Sequence, residues 1–345
     1  MTQITVPTLP VLTDFAARSP EHPWTANEQL TQSFSRIHCA TGARPQHIPG
    51  YQQGRDFHVL AWIAERALKA ERTEVIFEGG ADGWDQATSH AARDLGIYRV
   101  LNAPFNGQHA LWKNPNVVRR YADLLDTADH AYAVADPDRN DKKAVVRALM
   151  DRNVEMLRWG CQGVLPFNPP EREHEGGTAA CLREARKRGC RILPNLYPEW
   201  EKYQSGELRV LHEIRNTELS NMAVLDKPIR MAGEDYATLE HYFQAAKTTN
   251  PAQRQLIRNA ATPAEARRLG RSVTLREDWD TLRLDVMHAG LRKKFAQPRF
   301  AAALAATGDA LILEGNTWND EFWGVCKGVG RNHLGRLLMN LRETL

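Results

Sequence analysis

The fold is decided by residues 74–101, EVIFEGGADGWDQATSHAARDLGIYRVL, where an apolar run, a glycine-rich loop, an amphipathic stretch and a second apolar run follow one another. The apolar runs at 74–77 and 98–101 are typical of buried strands, and the pattern between them predicts a helix over 84–95. A strand, a helix and a strand in this order usually lie in one parallel sheet. This stretch therefore predicts an α/β fold.

The same alternation of short apolar runs and amphipathic stretches continues on both sides of this segment. Further strands are expected at 33–39, 131–134, 163–167 and 191–193. Further helices are expected near 56–70, 115–126, 142–158 and 177–188. Residues 33–198 are therefore predicted to form a Rossmann-like α/β domain, with a mostly parallel sheet and helices on both faces.

The chain changes character at its start and after residue 197. Residues 1–32 carry scattered prolines without a clear period, so an N-terminal arm is expected there. Residues 197–207 are polar and contain Pro198, Ser205 and Gly206, so the domain boundary is placed in this segment.

After the boundary, helical patterns dominate. They cover 239–247, 263–269 and 281–295, whereas 310–313 is the clearest strand-like run. Residues 207–345 are therefore predicted to form a second domain, a helix-rich α+β domain.

Composition restricts the function classes. A chain of 345 residues favours two domains, and its apolar fraction of 42% and charged fraction of 25% are ordinary for globular proteins. No signal peptide or membrane span is recognised, so a cytoplasmic protein without membrane contact is expected. A net charge of +3 gives little support to a module that only binds nucleic acid.

The cysteines do not form a metal-binding pattern. The five cysteines include no C-x-x-C pair, so neither a disulfide framework nor a structural zinc site is expected. No cluster of histidine, cysteine and carboxylate residues has suitable ligand spacing, so neither a metal nor a cofactor is predicted.

Three glycine-bearing loops follow strands of the first domain, at 41–45, 79–85 and 176–178. Loops at the carboxyl ends of parallel strands commonly bind ligands, and glycines and helix N-termini suit phosphate groups. The alternative is that the glycines only form tight turns, and none of the loops matches G-x-G-x-x-G or the P-loop. The candidate nucleotide-binding residues are Gly42, Arg44, Gly80, Asp82, Gly83, Asp85, Gly176, Gly177 and Thr178.

Residues 33–195 resemble the SLOG superfamily. The resemblance rests on T-G-x-R-P at 41–45, G-x-D-G-x-D at 80–85, P-F at 104–105, D-R-N at 151–153 and G-G-T at 176–178. It implies binding of a nucleotide or NAD-derived ligand, and homo-oligomers formed through this domain. Enzymatic members carry a glutamate three residues after the loop threonine, where this chain has Cys181. Ligand sensing or substrate capture is therefore expected here, without catalysis.

The second domain contains residues suited to cleavage of a ribose–nitrogen bond. This reaction builds positive charge on the sugar, which a carboxylate stabilises, while aromatic rings hold the base and basic side chains hold phosphate. Glu240 and Lys247 share one face of a predicted helix, although the same spacing fits an ordinary solvent-exposed stripe. Asp320 lies between two tryptophans, Trp318 and Trp323, in a loop after a predicted strand.

About residues 209–345 resemble the NADAR family. The motifs are L-S-N at 219–221, E-H-Y-F-Q-x-x-K at 240–247, L-G-R at 269–271, D-W at 278–279, L-R-x-K-F at 291–295, N-D-x-x-W-G at 319–324 and N-x-L-G-x-L-L-M at 332–339. The resemblance implies N-glycosidase activity, either on riboflavin-pathway intermediates or in removing ADP-ribose from guanine. It implies four catalytic residues, Glu240, Trp279, Asp320 and Trp323. It also implies four substrate contacts, Asn221, Lys247, Arg271 and Lys327.

The leading hypothesis is a hydrolase of an ADP-ribosyl or NAD-related substrate, with removal of ADP-ribose from guanine as its specific form. Asp320 or Glu240 would stabilise the ribosyl cation, and Trp279 and Trp323 would sandwich the base or ribose. The partner is then an ADP-ribose- or NAD-like small molecule or ADP-ribosylated nucleic acid. Two alternatives remain open. One is a sensor of ADP-ribose or a cyclic nucleotide with a silent second domain, and the other is a hydrolase of riboflavin-pathway ribosylamines.

Overall fold

The computed structural model describes residues 13–14, 30–159, 162–215 and 217–345. The chain forms two compact units. The first consists of residues 1–208 and 327–329, and the second of residues 209–326 and 330–345. Most of the arm expected over 1–32 lies outside the described residues.

The first unit contains a parallel sheet of six strands in the order β1-β5-β4-β3-β2-β6. The α/β prediction is thereby confirmed. The run at 191–193 forms only an isolated parallel bridge between Ile192 and Val164. The strands are β1 (Thr13–Asp14), β2 (Ile37–Gly42), β3 (Val75–Glu78), β4 (Tyr98–Phe105), β5 (His130–Ala135) and β6 (Gly163–Phe167).

In the described part of the first unit, six α-helices have both of their ends defined. Five of them lie where the amphipathic patterns predict helices. The helices are α1 (Phe57–Ala70), α2 (Trp84–Asp94), α3 (Pro115–Asp126), α4 (Lys142–Trp159), α5 (Gly176–Lys187) and α6 (Tyr197–Ser205).

Helix α6 occupies the polar segment where the boundary was placed. The Trp200 indole donates a hydrogen bond to the Pro49 carbonyl at 3.1 Å, and the Tyr203 hydroxyl donates to the Asp56 carboxylate at 2.8 Å. The segment is therefore a helix of the first unit, because Trp200 and Tyr203 have hydrogen-bond partners there that composition does not reveal.

The core of the first unit explains why its strands read as continuous apolar runs. Ile37, Cys39, Val75 and Phe77 are completely buried, as expected for strands covered on both faces. Cys190 takes part in a disulfide, which the spacing of the cysteines did not predict.

The second unit is rich in helices, as predicted, and contains short two-stranded pairings. Thr238, Asn250 and Thr262 cap the first three of its helices with side-chain oxygens. The helices are α7 (Leu239–Ala246), α8 (Pro251–Arg258), α9 (Pro263–Gly270), α10 (Trp279–Phe295), α11 (Pro298–Ala305) and α12 (His333–Arg342). The strands are β7 (Val210–Leu211), β8 (Ile229–Met231), β9 (Glu234–Tyr236), β10 (Leu311–Ile312), β11 (Gly315–Asn316) and β12 (Val325–Cys326).

A buried lysine positions one loop of the second unit. The Lys294 ammonium on α10 is fully buried and donates to the Ser220 carbonyl at 2.5 Å. Burial lowers the pKa of Lys294 to about 7. This bond holds the segment before Asn221 against α10. Among the helices in the described part of the chain, none is both long and apolar enough to cross a membrane.

Candidate active site

A cavity of about 940 Å³ in the second unit collects most of the predicted site residues. Its volume lies at the upper end of the range of about 300–1,000 Å³ typical of small-molecule sites. Its lining combines carboxylates, cationic side chains and aromatic rings. The lining residues are Arg215, Thr217, Glu218, Ser220, Asn221, Met222, Ala223, Val224, Glu240, Phe243, Gln244, Lys247, Arg267, Arg271, Met287, Arg299, Glu314, Trp318, Asp320, Trp323 and Leu334.

Glu240 lies at the start of α7, with only 6% of its surface exposed. The Gln244 side-chain amide, one turn later, donates to its carboxylate at 2.8 Å, and the Arg267 guanidinium lies 4.0 Å away. Burial raises the pKa of Glu240, although Gln244 and Arg267 act in the opposite direction. The carboxylate is therefore held in one orientation in a largely desolvated part of the cavity, where its electrostatic influence on a sugar cation is strong.

Asp320 is held by its own loop. The backbone amide of Trp323 donates to the Asp320 carboxylate at 2.9 Å, and the backbone amide of Asp320 donates to the Asn316 side-chain oxygen at 3.1 Å. The Asn316 amide returns a bond to the Asp320 carbonyl at 2.7 Å. These bonds orient the carboxylate, which forms no ion pair with another described residue, so its charge remains available to a ligand.

Glu314 is a third carboxylate of the cavity, which sequence reasoning missed. It follows β10, and its backbone amide donates to the Asn332 side-chain oxygen at 2.9 Å. Burial raises the pKa of Glu314 to about 7, and the neighbouring charge of Asp320 adds to the increase. A carboxyl group with this pKa exchanges protons near neutral pH and is suited to acid–base chemistry. Its position directly after the predicted strand at 310–313 was the sequence signal that could have identified it as a site residue.

The cationic side chains form the complementary half of the site. Lys247 is half-buried, and burial lowers its pKa while Glu240 partly restores it. Arg271 is exposed, and the side chain of Arg267 is 38% exposed. Together they offer one shielded and two accessible positive charges, an arrangement suited to a diphosphate.

The structure places Trp323 in the cavity lining and Trp279 outside it. Trp323 lines the cavity and contacts Phe243 edge-on, with 5.3 Å between ring centroids. Trp279 is buried, and its ring packs against Phe243 with 5.2 Å between the ring centroids. It is not among the residues that line the cavity. The Trp279 ring therefore packs behind Phe243, and the structure does not place it in the cavity opposite Trp323, as the expected sandwich required.

Lys327 is the other predicted contact that does not line the cavity. It is exposed and adopts a left-handed backbone conformation with φ 51°, and residues 327–329 belong to the first unit. Its expected role as a substrate contact therefore has no support from the lining of this cavity.

Comparisons with known proteins find relatives of the second unit. The model of the NADAR domain family matches residues 210–345. N-glycosidase YbiA of Escherichia coli (strain K12) is 43% identical over 122 residues, which cover 34% of this chain and 76% of that protein. The chain belongs to the NADAR family. Riboflavin biosynthesis protein PYRR, chloroplastic, of Zea mays is 36% identical to this chain over 124 residues, which cover 32% of this chain and 20% of that protein. The NMR structure of E. coli YbiA matches with 40% identity and a TM-score of 0.34, covering 37% of this chain and 76% of that one.

Asn221 links two walls of the NADAR cavity. Its carbonyl accepts the backbone amide of Glu240 at 3.0 Å, and its side-chain amide lies 3.6 Å from the Met287 sulfur. Its side-chain oxygen is buried without a hydrogen-bond partner among the described residues. A buried acceptor without a partner is costly, so this oxygen is a strong candidate to receive a ligand donor.

A smaller cavity, of about 280 Å³, lies at the glycine loops of the first unit. Five of the predicted nucleotide-binding residues line it, namely Gly42, Arg44, Asp85, Gly177 and Thr178. Arg152 also lines it and donates to the Asp85 carboxylate at 3.2 Å. Burial lowers the pKa of Arg44, and the charge of Arg152 lowers it further. With Arg172 and Glu175, which also line the cavity, three arginines face two carboxylates and leave a positive excess that suits an anion.

The remaining members of the predicted nucleotide site do not line this cavity. The Asp82 carboxylate forms a salt bridge with the Arg120 guanidinium at 3.3 Å, so its charge is already paired outside this cavity. Gly83 has φ 98°, and a side chain there would meet the Ala43 carbonyl. Gly80 and Gly176 also have positive φ values, of 67° and 81°. These glycines fit the alternative reading, in which they form tight turns.

Proposed function

We propose that the NADAR domain is an N-glycosidase that hydrolyses a ribose–nitrogen bond in an ADP-ribosyl or NAD-related substrate, and that guanine-linked ADP-ribose is this substrate. The observation that carries the proposal is the placement of Glu240, Glu314 and Asp320 in one cavity with Lys247 and several arginines. The name N-glycosidase, which the related E. coli protein bears, supports the reaction class.

The carboxylates account for the chemistry of the sugar. As the bond between the ribose C1′ and the base nitrogen breaks, its electron pair leaves with the base and positive charge develops on the ribose. Asp320 and Glu240 are oriented by hydrogen bonds and stabilise this charge. A water molecule then adds to C1′ and loses a proton to a carboxylate, which yields a free ribose hydroxyl.

Glu314 accounts for the departing base. Its pKa of about 7 leaves a fraction of the carboxyl group protonated at neutral pH. A protonated carboxyl group can donate its proton to the leaving nitrogen, which makes the base a better leaving group. The proton released by the attacking water restores the starting protonation state over one turnover.

The cationic side chains account for the ADP portion. A diphosphate carries two negative charges, and Lys247, Arg267 and Arg271 lie on the same cavity lining. Charge-assisted hydrogen bonds to phosphate are stronger than neutral ones. A ribosylamine with one phosphate or none would leave part of this cationic set unused, which favours the ADP-ribosyl substrate.

The test is product analysis with an ADP-ribosylated guanine oligonucleotide, NAD, free ADP-ribose and a riboflavin-pathway ribosylamine side by side. Release of ADP-ribose from the oligonucleotide by the wild type, and its loss in Asp320→Asn, is the expected result. Turnover of the ribosylamine alone would replace the substrate with the one that the name of the maize relative indicates. Tight binding of ADP-ribose without any turnover would support the silent sensor.

For the first unit we propose a nucleotide or NAD-derived ligand whose phosphate lies between Arg44 and Arg152. The support is the positive excess in the smaller cavity and the unpartnered, buried Nε of Arg152. Calorimetry with ADP-ribose, NAD and cyclic nucleotides on the full chain tests this, with Arg44→Ala as the site variant. Self-association through this unit remains a prediction, and light scattering of the full chain measures it.

A further inference from the structure

Trp318 is the large aromatic residue of the cavity lining that solvent reaches most. It is 40% exposed, whereas the neighbouring aromatic residue Phe243 is buried at 6%. Tryptophan exposes a large apolar surface to water at a cost of free energy, so an exposed ring in a ligand cavity needs a reason.

An arginine accompanies the ring. The Arg215 guanidinium lies over the Trp318 indole, 4.5 Å from the ring centroid, and both residues line the cavity. The Arg215 side chain is 48% exposed, and its Nε lies 3.4 Å from the Glu213 carboxylate. The guanidinium plane and the indole thus form a flat, positively charged surface that is open to solvent.

The loop holds this surface in place. Asn316 and Asp320 exchange two hydrogen bonds, at 2.7 and 3.1 Å, and so close the loop below Trp318. Asn319 has a positive φ of 62°, which turns the chain sharply after the tryptophan. The ring is therefore presented by a closed loop whose other end orients the Asp320 carboxylate.

We propose that Trp318 and Arg215 form a stacking platform for a nucleobase other than the one that is cleaved off; this inference rests on the proposed function. Stacking on aromatic and guanidinium planes is the usual way in which proteins hold unpaired bases, and the positive charge attracts the adjoining phosphate. Because Arg215 covers one face of the indole, the base stacks on the opposite face or on the guanidinium. Two sources supply such a base: the adenine of the ADP-ribosyl group, or the neighbouring base of a nucleic-acid strand.

The experiment measures equilibrium binding in the Asp320→Asn background, so that it does not depend on turnover. The ligands are ADP-ribosylated guanosine and an ADP-ribosylated guanine oligonucleotide, compared across Trp318, Trp318→Phe and Trp318→Ala. Stacking of one base contributes enough that the alanine variant should weaken binding about 5- to 150-fold. The phenylalanine variant retains a ring and should restore most of the affinity. A loss with both ligands identifies adenine, and a loss confined to the oligonucleotide identifies the neighbouring base.

Trp62→Ala is the matched control, because the Arg66 guanidinium lies over the Trp62 ring at 5.4 Å in the first unit, away from this cavity's lining. It should leave both affinities unchanged. The platform is overturned if Trp318→Ala binds both ligands as the parent does, or if Trp318→Phe loses as much as Trp318→Ala. Parallel turnover assays with an otherwise wild-type chain separate the two proposals. If the chain turns over its substrate and the Trp318 substitutions do not change binding, the platform alone is refuted. If binding depends on Trp318 but no turnover is found, the hydrolase alone is refuted.

Discussion

Replacing Glu314 by glutamine should remove activity and at the same time stabilise the protein at alkaline pH. The pKa of Glu314 rises from its ordinary value of 4.5 to about 7, mainly through burial, and the Asp320 charge contributes. Arg215 and Arg267 act against this increase, and Glu213 acts with it. The folded protein thus favours the neutral carboxyl group, and glutamine imitates that form at every pH.

The sign of the stability effect follows from the direction of the shift. Because the folded pKa lies above the unfolded one, the stability associated with the protonated group is complete below pH 4.5 and is lost as the pH rises towards 7. A difference between 4.5 and about 7 corresponds to up to about 3 kcal/mol. The glutamine variant does not incur this loss. Its free energy of unfolding should therefore exceed that of the wild type at pH 8, and the two should converge near pH 4.

Urea unfolding at pH 4, 6 and 8 measures this difference, and kcat/KM over the same range measures the catalytic role. With a pKa of about 7, the protonated fraction falls from about one half at pH 7 to about one tenth at pH 8, so wild-type activity should fall about fivefold. The glutamine variant should lose most of the activity, and the activity that it retains should not decrease between pH 7 and pH 8. A glutamine variant that is less stable at pH 8, or whose stability difference does not change with pH, would refute the reasoning.

Three further predictions concern other residues. Asp320→Asn should lower kcat about 100-fold or more at nearly unchanged stability, because it removes a charge that faces the ligand; circular dichroism melting checks the fold, and full activity would refute the assignment. Trp279→Ala should destabilise the protein by about 3–5 kcal/mol, since the ring packs on Phe243 in the core, whereas Trp279→Phe should preserve kcat; a large kcat loss in a stably folded Trp279→Phe would point instead to direct substrate contact. Arg44→Ala should weaken nucleotide binding at the first unit about 10- to 150-fold and leave N-glycosidase kcat unchanged, since a charge-assisted hydrogen bond contributes about 1.5–3 kcal/mol; calorimetry and a turnover assay measure the two effects separately.

Local patterns in the sequence determined where most of the helices and strands lie. The alternation around residues 74–101 predicted a parallel α/β sheet because burial on both faces requires continuous apolar strands, and each intervening helix reveals its own period. The spacing of Glu240 and Lys247 likewise predicted that they lie on one side of the chain; Glu240 lies in α7 and Lys247 directly follows it, and both line the cavity.

Only the tertiary structure decided which side chains share a site and in what protonation state. Glu314, Arg215 and Trp318 belong to the cavity through packing between segments that are distant in the chain, whereas Trp279 and Lys327, which the family resemblance implied as site residues, do not line it. The pKa of Glu314 depends on burial and on the charge of Asp320, which no local pattern encodes. Periodicity reports which face of an element is buried, but the partners of that face and their electrostatics arise from contacts that only the folded chain makes.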